Sequence, residues 1–391
     1  MMDYEKLLSV EAQKIPPSGI RRFFSIAEEM EGVISLGVGE PDFTTPWIVR
    51  RAGIESLERG KTWYSANAGF KELRVQIAGY LQRRFGLTYD PDKEMFVSVG
   101  GSEAIDIAMR AVLNPGDEVL LPTPCFVCYD PIAKMCGATV KSIQLREEDE
   151  FRLTADQLRA AISDKTKLLV LPFPNNPTGA IMSRSDLEAI AEVLKGTDIL
   201  VLSDEIYAEL TYGGERHCAP AILSRDMWDR TITINGFSKA FAMTGWRLGY
   251  ACGPAPVIKQ MVKLHQYAIL CAPSMSQYAG IVAVRDCDDL VEEMRDEYDS
   301  RRRYLVREFN RIGLHCFEPK GAFYVFPSIK STGLSSEEFC EQLVYNKKIA
   351  VVPGSAFGAG GEGHVRVSYS YSLNHLKKAV AGIEAFVRER S

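Results

Sequence analysis

Lys239 lies in Asn235-Gly-Phe-Ser-Lys-Ala-Phe-Ala242, just past the run Arg230-Thr-Ile-Thr-Ile234. That β-branched run reads as a buried strand, and Asn235-Gly236 as the turn that ends it. Apolar neighbours on both sides disfavour an ammonium and lower its pKa, which suits a lysine that forms a Schiff base. On this segment alone a second reading stays open, in which the stem snorkels past the core and leaves the charge in water. Three other stretches carry residues able to meet a charged ligand. Gly100-Gly-Ser-Glu-Ala104 follows an apolar run and opens a helix. Glycines allow close backbone approach, and a helix N-terminus offers free N–H groups to a phosphate. No Gly-Lys-Ser/Thr follows, so this is not a P-loop, and a tight turn with a cap is the plain alternative. Pro172-Phe-Pro-Asn-Asn-Pro-Thr-Gly179 is rich in proline, and Asn176 before Pro177 is biased to an extended conformation that aims its amide. Ser203-Asp-Glu-Ile-Tyr207 ends another apolar run with Asp204. A buried aspartate is costly unless it meets a cation or donors, and a helix N-cap is the plain alternative.

The elements that must position these residues alternate. Strands are expected at Met95–Val99, Glu118–Leu121, Ala138–Ile143, Lys167–Leu171, Ile199–Leu202, up to Ile234, and at Leu248–Cys252. Helices fall between them at Ser102–Leu113, Phe126–Cys136, Thr154–Ile162 and Ser183–Leu194. This β-α-β rhythm with continuous apolar strands predicts a mainly parallel sheet covered by helices, a three-layer α/β/α fold. Ligands in such sheets sit beyond the carboxyl ends of the strands, where all four stretches fall. After about residue 254 helices dominate, including a charged one over Arg295–Arg311. A smaller β-rich part follows (Ala322–Phe326, Ile349–Val352, Val365–Ser368), and a helix closes the chain over Ser372–Arg388.

Composition removes several classes. The chain has 391 residues and a formal net charge of -5, so it carries no basic footprint for nucleic acid. No apolar window is long enough to span a membrane. The opening Met-Met-Asp-Tyr-Glu-Lys lacks a signal-peptide pattern, and the expected compartment is the cytoplasm. Nine cysteines, an odd count scattered among apolar residues, read as reduced core thiols. Cys125 and Cys128 form a lone Cys-x-x-Cys without two further ligands at similar spacing, and no metal site is expected.

Taken together the motifs resemble the fold-type-I pyridoxal-phosphate aminotransferases of class I/II. The likeness runs nearly end to end: Gly39-Glu-Pro-Asp-Phe43, Tyr64, Leu73-Arg74, Asn176-Pro-Thr-Gly179, Asp204-Glu-Ile-Tyr207, Ser238-Lys239, Arg247, Pro353-Gly-Ser-Ala-Phe357 and His364-Val-Arg-Val-Ser368. The resemblance implies pyridoxal 5'-phosphate as cofactor and ping-pong amino transfer between an L-amino acid and a 2-oxo acid. It makes Lys239 the Schiff-base lysine and proton carrier, and Asp204 the partner of the pyridine nitrogen. Tyr207 and Asn176 would bind the ring oxygen. Gly101, Ser102, Glu103, Ser238 and Arg247 would hold the phosphate, and Phe126 would stack on the ring. Arg366, with Gly39 and Asn176, would take the substrate α-carboxylate, Arg366 by two parallel hydrogen bonds. Tyr64 would reach the phosphate of a neighbouring subunit, which implies a homodimer. The implied domains are an arm with part of a small domain (1–45), a large cofactor-binding domain (46–285) and a small α+β domain (286–391).

Within the family the resemblance is closest to bacterial N-acetyl-diaminopimelate aminotransferases, with aspartate and aromatic aminotransferases sharing much of it. The cues are Ser18-Gly-Ile-Arg-Arg-Phe23, His265-Gln-Tyr267 and Gly321-Ala-Phe-Tyr-Val-Phe-Pro-Ser-Ile-Lys330. A carbon–sulfur β-lyase on the same fold would keep Lys239, Asp204 and Arg366 and stands as the alternative chemistry.

Overall fold

The computed structural model describes residues 2–17, 19 and 30–390. Part of one sequence cue, Ser18 and the stretch 20–23, lies outside them. A short strand β1 (Ile34–Ser35) precedes the seven strands of the main sheet. These are β2 (Met95–Ser98), β3 (Glu118–Thr123), β4 (Thr139–Gln144), β5 (Thr166–Leu171), β6 (Leu200–Asp204), β7 (Thr231–Gly236) and β8 (Gly249–Cys252). Their order is β2-β8-β7-β6-β5-β3-β4. Neighbours from β7 to β4 are parallel, while β8 runs antiparallel to both β2 and β7.

Successive residues of a strand point to opposite faces, and here both faces are apolar. Leu168, Val170 and Leu202 pack on one side with Ile105, Ile107 and Ile258. Leu169, Leu171 and Val201 pack on the other with Leu158, Leu187 and Ile190. Helices cover both layers, which is why the strands read as continuous apolar runs. Two of the covering helices start in capping boxes, Thr154 with Gln157 and Ser183 with Asp186. The helix Lys71–Phe85, which no sequence cue identified, packs on a third apolar cluster through Leu73, Ile77 and Leu81.

A second body of structure is built on β9 (Tyr324–Val325), β10 (Ile349–Ala350), β11 (Val352–Pro353) and β12 (Val365–Ser368). Strands β11, β12 and β9 form one antiparallel sheet, and β10 pairs with β1. The run expected as a single strand, Ile349–Val352, is therefore divided between two sheets. Helices Asp288–Arg311, Ser336–Lys347 and Leu373–Arg388 pack on these strands around Leu36, Tyr298, Phe323, Leu343, Val367 and Ile383. The charged helix thus begins at Asp288 rather than Arg295, and its buried Arg302 donates to Glu318 at 2.7 Å and to the Pro319 carbonyl at 3.0 Å. The helix expected from Phe126 starts at Tyr129. Phe126 precedes that helix, and the Cys125 N–H before it donates to the Phe357 carbonyl at 3.1 Å.

Among the described residues no helix is long and apolar enough to cross a membrane. Close backbone packing joins β8 to the turn before the helix Gly101–Val112. A Cβ on Gly249 would lie 2.6 Å from the Gly100 carbonyl carbon and 2.8 Å from the Gly101 nitrogen. Gly249→Ala is expected to destabilise the protein by about 1–3 kcal/mol through overpacking, read by urea unfolding. An unchanged midpoint would show that this seam has slack.

Candidate active site

At the carboxyl edge of the main sheet a cavity of about 620 Å³ lies between the two bodies of structure. Its lining includes Gly39, Gly101, Ser102, Phe126, Asn176, Asp204, Tyr207, Ser238, Lys239, Arg247 and Arg366. Strand ends supply most of these. Asp204 ends β6, Ser238 and Lys239 follow β7, and Asn176 lies past β5. Arg247 precedes the antiparallel β8 and so reaches the same edge. It sits in a left-handed conformation (φ 52°) after a short 3-10 turn, a backbone state uncommon for non-glycine residues.

Asp204 is buried, and its carboxylate accepts a hydrogen bond from the Tyr129 hydroxyl at 2.6 Å and from the Ile206 N–H at 3.2 Å. Burial pushes its pKa above the ordinary carboxylate value, and those two donors pull the other way. Lys239 donates to the Gly39 carbonyl at 2.5 Å. Burial pushes its ammonium down to about 8; Glu40 opposes that, and Arg366 and Arg247 add to it. The amine ends at the cavity, against the Gly39 carbonyl, and not on the outer surface. Arg366 is buried and donates to Asn176 Oδ1 at 2.8 Å and to the Gly37 carbonyl. Its Cζ lies 4.5 Å from the Tyr324 ring centroid and 4.9 Å from that of Phe357. The Arg366 Nε is buried with no hydrogen-bond partner among the described residues.

Gly100 opens the helix Gly101–Val112 with φ 80°. Space there is taken by Arg247, whose Nη2 would lie 2.6 Å from a Cβ on Gly100. Glu103 does not line the cavity. Its carboxylate accepts from the Val99 N–H and meets His265 Nδ1 at 2.7 Å, so only its backbone N–H, in the first helical turn, remains for a ligand. Tyr64 also stands apart from the cavity and is 77% exposed. Two lining tyrosines had no assigned role in the sequence reading. Tyr129 lies three positions past Phe126, a spacing that pairs side chains only if the segment is helical. Tyr324 had been noted only inside a motif.

A family description, aminotransferase class I and II, matches residues 31–383. The chain belongs to that family. It is 50% identical over 382 residues to a putative aminotransferase, YugH, of Bacillus subtilis, covering 98% of each chain. It is 45% identical to an aspartate aminotransferase of Pyrococcus abyssi, covering 96% of this chain and 97% of that one. The crystal structure of an aromatic aminotransferase from Pyrococcus horikoshii superposes with a TM-score of 0.90 at 44% identity, covering 94% of this chain and 99% of that one. The protein is therefore a transaminase, dependent on pyridoxal phosphate, and the carbon–sulfur lyase alternative gains no support.

The residues present fit that cofactor. A buried carboxylate awaits a cation, an amine of lowered pKa awaits a carbonyl, and free N–H groups at a helix start stand beside a guanidinium. Removing one donor from Asp204 probes the arrangement. Tyr129→Phe leaves a buried carboxylate short of a hydrogen bond and raises its pKa further. The cofactor-free variant is expected to lose about 1–3 kcal/mol at neutral pH. The difference should shrink at acidic pH, where the carboxyl is protonated. Equal unfolding midpoints at neutral pH would contradict the role of this bond.

Proposed function

We propose that Lys239 holds the cofactor's aldehyde covalently and carries the proton of amino transfer, within the constellation Asp204, Asn176, Tyr207, Arg247 and Arg366. The single observation that carries this reading is the convergence of a lowered-pKa amine and a buried carboxylate in one cavity. Bound pyridoxal phosphate supplies a carbonyl carbon for the amino group and a protonated ring that withdraws electrons from the substrate Cα. Asp204 keeps the ring nitrogen protonated, since a buried carboxylate favours a cation beside it. Tyr207 and Asn176 donate to the ring oxygen. The N–H groups of Gly101, Ser102 and Glu103, with Ser238 and Arg247, hold the phosphate. Phe126, in the cavity wall, would stack on the ring. Arg366 receives the α-carboxylate through a guanidinium already oriented by Asn176 and Gly37, with Gly39 beside it. Lys239, neutral at mildly basic pH, then moves the proton from the substrate Cα.

The donor falls among the aspartate, aromatic and N-acetyl-diaminopimelate group, with 2-oxoglutarate as acceptor. The cations among the described lining residues are Lys239, Arg247 and Arg366, each already engaged. Val38, Ile105 and Phe126 supply apolar wall. That balance favours an uncharged, aromatic side chain within the group. A panel of amino donors, followed by cofactor absorbance before and after 2-oxoglutarate, tests both points. Lys239→Ala should fold yet lose at least about a thousandfold in turnover, within the about 10²–10⁴ range of a proton-transfer residue. Cofactor uptake by the cofactor-free protein should rise with pH and level off near 8, because the neutral amine attacks; an unshifted lysine would keep rising toward 10.5. A turnover close to wild type in Lys239→Ala defeats the assignment.

The assembly is a homodimer in which Tyr64 reaches the partner's phosphate site. One group of exposed apolar side chains lies on the helix Trp47–Glu58 and the segment after it: Trp47, Ile48, Ile54, Leu57, Trp63 and Tyr64. Such a patch on one face needs a cover. Mixing the Lys239→Ala and Tyr64→Ala chains should restore activity, because one site in each hybrid then holds both native residues. No recovery in verified hybrids would show that Tyr64 serves its own chain.

A further inference from the structure

Tyr324 begins β9 and is 1% exposed to solvent, yet it lines the cavity. Strand register brings it there. β9 runs antiparallel to β12 with Tyr324 opposite Ser368. Arg366 stands two positions before Ser368 and so points to the same face of that sheet. The Tyr324 ring consequently meets the guanidinium, with Cζ 4.5 Å from the centroid. At the other end of the side chain, the Tyr324 hydroxyl is 2.9 Å from the Tyr207 hydroxyl. Gly39, whose carbonyl takes Lys239, leaves the room for this. A Cβ there would come 2.3 Å from Tyr324 Oη.

We propose that Tyr324 is a positioning residue of the transamination site, holding Arg366 by its ring face and Tyr207 by its hydroxyl. The inference rests on the cofactor arrangement given under Proposed function. The ring half follows from cation–π attraction, which is stronger where water is excluded. It fixes the plane of the guanidinium before a carboxylate arrives. The hydroxyl half follows from counting protons. Each phenol has one. If Tyr207 donates to the cofactor's ring oxygen, the bond between the two phenols must be donated by Tyr324. A donor that itself accepts a hydrogen bond is a stronger donor. Tyr324 thus strengthens the hold on a negative ring oxygen without touching it. Burial raises the pKa of both phenols, so both protons stay in place.

Two substitutions separate the halves in the holoenzyme. Tyr324→Phe keeps the ring and loses the hydroxyl. The pH at which the bound cofactor's visible absorbance changes should move up by several tenths of a unit, because the negative oxygen loses stabilisation. Binding of maleate and of 3-phenylpropanoate, carboxylates with no amino group to react, should stay within about twofold, because the ring face remains. Tyr324→Leu loses both. The same absorbance shift should appear, and both carboxylates should bind about five- to tenfold more weakly. The amino-acid KM should rise more than kcat falls. Tyr324→Met replaces it if the leucine variant does not fold. An unmoved absorbance transition in Tyr324→Phe, or wild-type carboxylate affinity in the variant without a ring, overturns the proposal. Should the wild-type protein itself show no pH-dependent visible band with pyridoxal phosphate, the cofactor arrangement fails first, independently of Tyr324.

Discussion

A carboxylate at the end of a buried strand must be met by positive charge or by donors, and the site is arranged around that demand at Asp204. The protein meets it only in part. Tyr129 and the Ile206 N–H donate, yet burial still raises the carboxyl pKa. Across the cavity Lys239 presents the opposite condition, an ammonium that burial inclines to shed its proton. One group seeks a cation and the other seeks to become neutral. A ligand with a ring N–H and an aldehyde would satisfy both, which accounts for two costly ionisable groups in one cavity.

The sheet makes this placement economical in chain terms. Parallel strands deliver their carboxyl ends to one edge, so β5, β6 and β7 bring Asn176, Asp204 and Lys239 together. The antiparallel β8 has a matching effect in reverse. Its beginning, not its end, lies at that edge, and the residue just ahead of it is Arg247 beside Gly100. The second body of structure adds the remaining wall through β12 and β9, which carry Arg366 and Tyr324.

Sequence disclosed what local chemistry controls. Apolar runs buried on both faces marked the parallel strands, and turn residues after them marked Asn176, Asp204 and Lys239. Direction was not visible in the same way: Leu248–Cys252 reads as a strand, but only its pairing shows that it runs against its neighbours. Element starts were also hidden where distant partners set them. Phe126 stays outside its helix, which begins at Tyr129, and the residue before it bonds to Phe357, far along the chain. The roles of Tyr129 and Tyr324 escaped notice for the same reason, since their partners Asp204 and Tyr207 are 75 and 117 positions away. Spacing within a motif cannot express such pairings.

The bond from Arg366 to the Gly37 carbonyl spans 329 positions, and that from Lys239 to Gly39 spans 200. Every cavity-lining residue from Gly101 to Arg247 is synthesised between those ends. That part of the cavity wall is therefore translated before Arg366. The first strand, β1, waits for a partner, β10, that is among the last segments to emerge. Contacts of such separation are slow to form. The beginning of the chain is folded by its end.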